Sequence, residues 1–173
     1  MPTINATATQ EDVFRVGLSS NGLHKTSVGP PLSPQDGDLW PCAEDKRLYL
    51  YDASQGAWFS SEQKSVAWGK SGNASSGSFF STPNGVAMTA SLGLVFDHSA
   101  LVTGFTYSRS NNAAASVQFV KNGTLALAVP LAGFTGVASF LLEVGQGDVI
   151  SLKNGGPGVA SNLVGMLTYR LKR

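Results

Sequence analysis

Short apolar segments recur along residues 86–171, and Gly, Asn and Ser residues separate them. The eight segments cover residues 86–90, 92–96, 101–108, 115–120, 124–131, 137–144, 148–153 and 162–171. Segments this short, divided at regular intervals by turn residues, predict an all-β fold, with an antiparallel sandwich or barrel over residues 85–173. No segment carries apolar residues at helical spacing over three turns, so we expect little or no α-helix.

The clearest local turn in this region is the pair Asn122-Gly123, which stands between the apolar segments 117–120 and 125–129. The Asn-Gly pair favours a tight two-residue hairpin, because both of its central residues must adopt a positive φ. We therefore predict that the two flanking segments are neighbouring antiparallel strands.

Three large apolar residues stand side by side in the segment 137–144: Phe140, Leu141 and Leu142. Side chains alternate between the two faces of a strand, so this run places bulky groups on both faces. Burial on both faces indicates a subunit interface or a covering segment, and we interpret the three residues as an oligomer interface. The alternative is that one of them lies at a bulge or at a strand end.

Residues 37–60 are predicted to form a small three-stranded β meander. Leucine and tyrosine alternate along residues 48–51, which is typical of a strand, and polar turns at 43–46 and 53–56 bound it. Such a unit is too small to fold without support. Its aromatic residues are expected to form its core, and the alternative is a platform that stacks a sugar or a base; they are Trp40, Tyr49, Tyr51 and Trp58.

Residues 1–36 are predicted to be an extended N-terminal arm, because residues 29–34 are proline-rich and the segment is too polar to build a core. Four of its apolar residues are expected to contact a partner surface on a neighbouring molecule, or to lie as a short strand on this chain's own domain. They are Val13, Phe14, Val16 and Leu18. The alternative is a frayed tail with incidental apolar residues.

Residues 61–84 are predicted to be a Gly/Ser-rich linker or a long surface loop between the meander and the sandwich. Residues 69–78 are dominated by Gly, Ser and Asn and show no apolar periodicity. Such composition is typical of flexible connections.

The charge composition bears on the partners. The 173 residues include 12 Lys and Arg against 11 Asp and Glu, a formal net charge of +1. A nearly neutral chain lacks the long-range field that draws basic proteins to nucleic acid or anionic lipid, so we expect neither partner. Residues 1–10 lack the basic start and apolar run of a signal peptide, and no run of 18 apolar residues occurs, so secretion and membrane spanning are disfavoured.

The sequence contains few residues of the types that form metal sites or catalytic groups. Two isolated histidines, His24 and His98, and a single cysteine, Cys42, provide neither a disulfide nor a metal-ligand motif, so we expect no metal and no cofactor. No nucleophile elbow and no phosphate-binding loop is present. We therefore predict that the protein is not an enzyme, with no catalytic residue; a carboxylate pair assembled by the fold is the enzymatic alternative.

The meander also resembles a short module that is common in virion proteins of tailed bacteriophages. The resemblance rests on the strand Gly37-Asp38-Leu39-Trp40, the strand Leu48-Tyr49-Leu50-Tyr51-Asp52 and the later Gly56-Ala57-Trp58, which follow a proline-rich lead. It covers about 30 of the 173 residues, and the module occurs in tail fibres as well as head proteins. Pro41-Cys42 departs from the usual form, in which another aromatic and an acidic residue are commoner.

The region 102–152 is similar to small jelly-roll domains of phage decoration proteins and trimeric fibre heads. Together the two resemblances imply a virion structural protein, assembled in the host cytoplasm. Because no coiled-coil or collagen-like shaft is present, we expect a capsid decoration (cement) protein. It would form a homotrimer on the outer capsid surface and bridge capsomers of the major capsid protein. The alternative is a tail fibre or receptor-binding head that attaches the virion to its host.

Overall fold

The computed structural model describes residues 29–173, and within them it contains eleven β-strands and no helix. The strands are β1 (Leu39–Pro41), β2 (Leu48–Asp52), β3 (Ala57–Ser60), β4 (Lys64–Ala74), β5 (Leu94–Val95), β6 (Ala100–Ser108), β7 (Ala115–Lys121), β8 (Thr124–Leu131), β9 (Thr135–Val144), β10 (Val149–Asn154) and β11 (Ala160–Leu171). This part of the chain divides into two compact units. One contains residues 29–62 with Arg173, and the other contains residues 63–172.

The first unit is the predicted three-stranded antiparallel meander, in the order β1-β2-β3. Its register places Trp40 opposite Tyr49 and Tyr51 opposite Trp58. The ring centroid of Trp40 lies 5.3 Å from that of Tyr49 and 5.7 Å from that of Trp58. Trp40, Tyr49 and Trp58 are buried and Tyr51 packs against them, so these rings are the core of the meander and not an open stacking platform.

Arg173 completes the meander although it is distant in sequence. Its backbone exchanges two hydrogen bonds with Trp58 of β3, at 2.9 and 3.2 Å. Its guanidinium donates to Glu44 at 2.6 Å and to Asp45 at 3.2 Å, and it lies 5.8 Å from the ring of Tyr49. The small aromatic core is therefore completed by a residue that follows the second unit in sequence.

The second unit is a sandwich of two antiparallel sheets, ordered β4-β11-β6-β9 and β5-β10-β7-β8. The hydrogen-bonded pairs β4/β11, β5/β10, β6/β9 and β7/β8 nest inside one another along the chain. A long hairpin that is rolled up in this way forms the two Greek keys of a jelly roll. The predicted all-β antiparallel sandwich with a separate meander is confirmed.

The predicted hairpin at Asn122-Gly123 joins β7 to β8. Asn122 has a φ of 50° and Gly123 a φ of 84°, so both central residues lie in the left-handed region that this turn requires.

The sandwich core is built around Phe105 of β6. Its ring lies 5.7 Å from that of Trp68, 5.8 Å from that of Phe119 and 5.9 Å from that of Phe140. Gly165 of β11 is needed beside Trp68, because a Cβ there would overlap the indole ring. Aromatic side chains from both sheets thus fill the space between the sheets.

Two predictions about strands are wrong. Residues 61–84 are not a linker or loop throughout, because β4 pairs with β11 from Lys64 to Ala74. The apolar segment 86–90 is not a strand and contributes only an isolated bridge between Ser81 and Ala87. Met88 within it is buried in the core, which explains its apolar character without strand pairing.

The boundary of the predicted arm also moves. Residues 1–28 lie outside the described part of the chain. Within the rest of the predicted arm, the carboxylate of Asp36 accepts a hydrogen bond from the backbone of Ala53 at 3.0 Å. Gln35 donates its backbone N–H to the carboxylate of Asp38 at 2.8 Å, so residues 35 and 36 belong to the meander.

Arg109 is a buried cation in the loop after β6. Its guanidinium donates to the carbonyl oxygens of Gly133 at 2.7 Å, Ala113 at 2.6 Å and Leu131 at 3.3 Å, and to the side chain of Asn112 at 3.1 Å. These bonds join the loop before β7 to the turn between β8 and β9. Hydrogen bonds from a charged donor to several carbonyls hold this end of the sandwich together.

Candidate functional site

The predicted partner-contact residues Val13, Phe14, Val16 and Leu18 lie outside the described residues. Their role in binding a partner stays a prediction. The site is therefore built from surfaces of the sandwich.

The predicted interface residues of β9 divide between its two faces. Phe140 packs its ring 5.0 Å from that of Phe119, and Leu142 also packs against the core. Leu141 points outward and is exposed. The register shifts opposite these residues, between Val102 and Gly104 of β6, so the bulge considered as an alternative is present. Phe140 and Leu142 thus pack toward the core within one chain and Leu141 is the exposed member of the three, and the role of these residues in an oligomer interface stays a prediction.

Leu141 belongs to a larger surface, which we call the outer face. It consists of outward residues of β4, β11, β6 and β9 in three neighbouring rows, together with Leu141. Three rows cross the sheet from β4 to β9, and the register aligns them as Gly69, Val164, Ser108 and Thr135; Ala67, Met166, Thr106 and Val137; and Ser65, Thr168, Gly104 and Ser139. With Leu141, this face contains no charged and no aromatic side chain.

Four apolar side chains stand out from the outer face. Val137 is 77% exposed, Leu141 60%, Val164 54% and Met166 46%. The other outward positions are small residues or threonines. Four strands about 4.8 Å apart and seven residues with a rise of about 3.4 Å give a face of roughly 19 by 24 Å. The four apolar side chains lie on β9 and β11, and Thr106 and Ser108 of β6 stand between them, so the face is an uncharged mixture of apolar and hydroxyl groups. A group of large exposed apolar side chains marks a contact site more often than single scattered ones do.

Charged groups begin only at one end of the outer face. The next row on the sheet places Arg170 and Leu101 beside Glu143. The Glu143 carboxylate forms an ion pair with Lys172, and its backbone carbonyl accepts a hydrogen bond from Lys121 at 3.0 Å. These charges are partly paired with one another, so they form a polar rim and leave the face itself neutral.

Backbone geometry keeps the outer face smooth. At the bulge, a Cβ on Gly104 would overlap the carbonyl oxygen of Ala138, so only glycine fits there. A Cβ on Gly69 would lie 2.8 Å from the carbonyl oxygen of Leu163, which also excludes a larger residue. Small residues at these points allow another surface to approach the backbone closely.

The sequence analysis missed Val137, Val164 and Met166 as members of this surface. The alternation of side chains along a strand could have identified them, because each is next in sequence to a buried or core-facing residue. Alternation alone does not show which face of each strand packs against the core. That choice depends on the pairing of β11 with β4 and β6.

Some classes of site are not found in the described part of the chain. Between residues 29 and 173, no three His, Cys, Asp or Glu side chains lie together in a group that could hold a metal ion. Over the same residues, no helix is long and apolar enough to cross a membrane.

Comparisons with known proteins add no relative. No protein-family model matches the sequence, and no curated protein matches it at a significant level. The proposal below therefore rests on the outer face, the jelly-roll topology and the resemblance of residues 37–58.

Proposed function

We propose that the protein is a virion structural protein that binds the outside of a phage capsid and stabilises it by bridging capsomers. The observation that carries this proposal is the outer face, an exposed and uncharged sheet surface on a rigid jelly roll. The virion context is supported by the likeness of residues 37–58 to a module of phage particle proteins. The work done is mechanical, since contacts made only on the assembled shell stabilise that shell.

The outer face supports self-association into a homotrimer. An uncharged face forms no ion pairs with a charged partner surface, whereas a second copy of the chain presents an equally uncharged face. The face covers roughly 450 Å² in plan, while a standard interface buries about 800 Å² on each partner. We therefore expect the flanking rim around Glu143 and Arg170 to join the contact. A closed threefold ring satisfies every copy in the same way.

Residues 13–18 are the proposed contact with the major capsid protein. The segment Phe14, Val16 and Leu18 alternates with Val13 and Arg15, as in a strand that adds to the edge of a partner sheet. Backbone hydrogen bonds and apolar contacts make such an attachment weakly dependent on salt.

The test is to mix the purified protein with capsids that lack it and to follow two properties. Cryo-electron microscopy should show added density at symmetry-related positions on the shell. The temperature at which the shell opens should rise when the protein is added. Absence of density on the shell, together with density on the tail of the intact particle, would contradict the proposal.

A receptor-binding head or tail fibre is the second candidate. It is favoured by an open cleft with aromatic and polar walls near Tyr169, and the same trimer face serves both candidates. Location within the particle separates them, because a decoration protein covers the shell and a receptor-binding head lies on the tail.

A further inference from the structure

An open cleft lies within the sandwich unit, away from the outer face. It has a volume of about 380 Å³ and is lined by residues of β4, β5 and β11 and by the segments 82–86 and 92–97. Cavities of this size are in the range that binds small molecules in proteins.

One wall of the cleft is aromatic and apolar. Phe96 is buried and its ring meets that of Tyr169 edge to face, with 5.2 Å between centroids. Val66 extends this wall, and Leu92 and Val86 expose apolar surface at the mouth. The wall therefore offers a half-buried aromatic ring and aliphatic groups to a ligand with an apolar face.

Polar groups stand around the same wall. The Asp97 carboxylate is 89% exposed and pairs with His98 at 3.0 Å. Among the described residues, no atom forms a hydrogen bond with the Asn84 amide or the Tyr169 hydroxyl. Burial, with a smaller contribution from Asp97, raises the pKa of Tyr169, so its hydroxyl stays protonated and able to donate. The cleft thus provides a carboxylate acceptor, an amide and a hydroxyl at its rim.

The charges of the cleft narrow the ligand class. Its lining includes the Asp97 carboxylate and neither lysine nor arginine, and the basic residues that act on this carboxylate, His98 and Lys64, lie outside the lining, so a phosphate or carboxylate ligand would meet a like charge within the cleft. A purely apolar ligand would leave the polar rim without partners. A sugar ring carries an apolar C–H face and a margin of hydroxyl groups, which matches both parts of the wall.

We propose that this cleft, with Tyr169 as its stacking ring, held from behind by the buried Phe96, and with Asp97 and Asn84 as hydroxyl partners, binds a neutral saccharide of one or two rings. The apolar C–H face of the sugar packs on the aromatic wall. The hydroxyl groups bond to the rim. This activity goes beyond attachment to a shell and does not depend on it.

Saturation-transfer difference NMR on the full chain tests the proposal. The probes are the methyl glycosides of glucose, galactose, mannose and N-acetylglucosamine, with maltose and lactose, each at about 10 mM. We expect transfer to at least one probe. Asp97→Ala and Tyr169→Phe should each weaken its binding about fivefold, as expected for one lost hydrogen bond. Glu62→Ala is the matched control, because it removes an exposed carboxylate that does not line the cleft.

Three results would overturn the saccharide site. They are no transfer to any of these sugars, equal binding by the wild-type protein and Asp97→Ala, and selective binding of choline, which would assign the cleft to cations. All variants should keep the wild-type melting temperature, since Asp97 is exposed and the tyrosine ring is retained. Capsid attachment is measured separately, so its failure and that of the saccharide site are distinguishable.

Discussion

The side chain of Asn122 donates a 2.6 Å hydrogen bond to the carboxylate of Asp148. This bond joins the turn between β7 and β8 to the turn that precedes β10. The same carboxylate accepts hydrogen bonds from Lys121 at 2.8 Å and from the backbone of Gly145 at 2.6 Å. Asp148 is therefore the acceptor on which two turns at one end of the sandwich converge.

This arrangement predicts an acid-sensitive contribution to stability. The bond from Lys121, followed by those from Gly145 and Asn122, lowers the pKa of Asp148 to about 2. Because the folded-state pKa lies below that of the unfolded chain, the contribution is present above about pH 4 and is lost as the pH falls toward 2. The free energy of unfolding, measured in urea at a series of pH values, should decrease over this interval.

Asp148→Asn provides the comparison. It removes the titrating group, so its stability should depend less on pH between about 4 and 2 than that of the wild-type protein. Parallel pH profiles for the two proteins would show that other carboxylates cause the acid sensitivity.

The outer face predicts how the protein associates. Val137→Glu should convert an oligomer to a monomer at micromolar concentration, because an unpaired carboxylate in a dry interface is costly. The fold should persist, since Val137 is largely exposed within one chain. Size-exclusion chromatography with light scattering measures the mass. Leu125→Glu, at an exposed apolar position on the other sheet, is the control and should leave the mass unchanged. A wild-type monomer would refute self-association through this face.

The aromatic core predicts the stability of the meander. Trp58→Ala should destabilise it by roughly 3 to 5 kcal/mol, because the buried indole contacts the rings of Trp40 and Tyr51. Leu48→Ala in the neighbouring strand is the control, and its partly exposed side chain should cost much less. Thermal unfolding followed by near-ultraviolet circular dichroism reports on the aromatic packing. Equal melting curves for the two variants would contradict a packed core.

The residues before the meander are predicted to serve attachment and not folding. Deletion of residues 1–28 leaves Gln35 and Asp36 with their hydrogen bonds, so the melting transition should be unchanged. Binding to capsids, measured by co-sedimentation, should be lost. Full binding by the shortened protein would place the capsid contact elsewhere, and loss of binding by the intact protein in moderate salt would exclude an apolar contact.

The hydrogen bonds of Arg109 predict that lysine cannot replace this arginine without a loss of stability. Arg109→Lys should destabilise the sandwich by about 2 to 3 kcal/mol, because an ammonium cannot reach the carbonyls of Gly133, Ala113 and Leu131 together. Chemical unfolding measures the loss. A variant as stable as the wild-type protein would show that the forked geometry is unnecessary.

Local patterns predicted much of this fold. The Asn122-Gly123 turn was predictable because its backbone conformation depends on two adjacent residues. The meander was predictable because its strands are neighbours in sequence and its aromatic residues alternate. Seven of the eight apolar segments in 86–171 contain a strand for the same reason.

Strand β4 was not predictable from its own residues. Only Val66 and Trp68 give it large apolar side chains, and its second half, residues 70–73, is polar. The backbone of that half pairs with β11 across an irregularity at Asn162, whose φ is 47°. Pairing with a partner so distant in the chain leaves no periodic pattern in the segment itself. The outer face was missed for a related reason, since it is assembled from strands of which β4 is one.

The nesting of the strand pairs has a consequence for the order of events during synthesis. On the ribosome, β4 emerges early, but its hydrogen-bonding partner β11 emerges about a hundred residues later. Until then β4 has an unpaired edge, and β6 lacks the strand that separates it from β4. The meander also remains incomplete until then, because Arg173 pairs with Trp58 only after β11 has been synthesised. Neither unit therefore closes until residues 160–173 have been synthesised, and a chaperone that shields strand edges would protect the nascent chain during this delay.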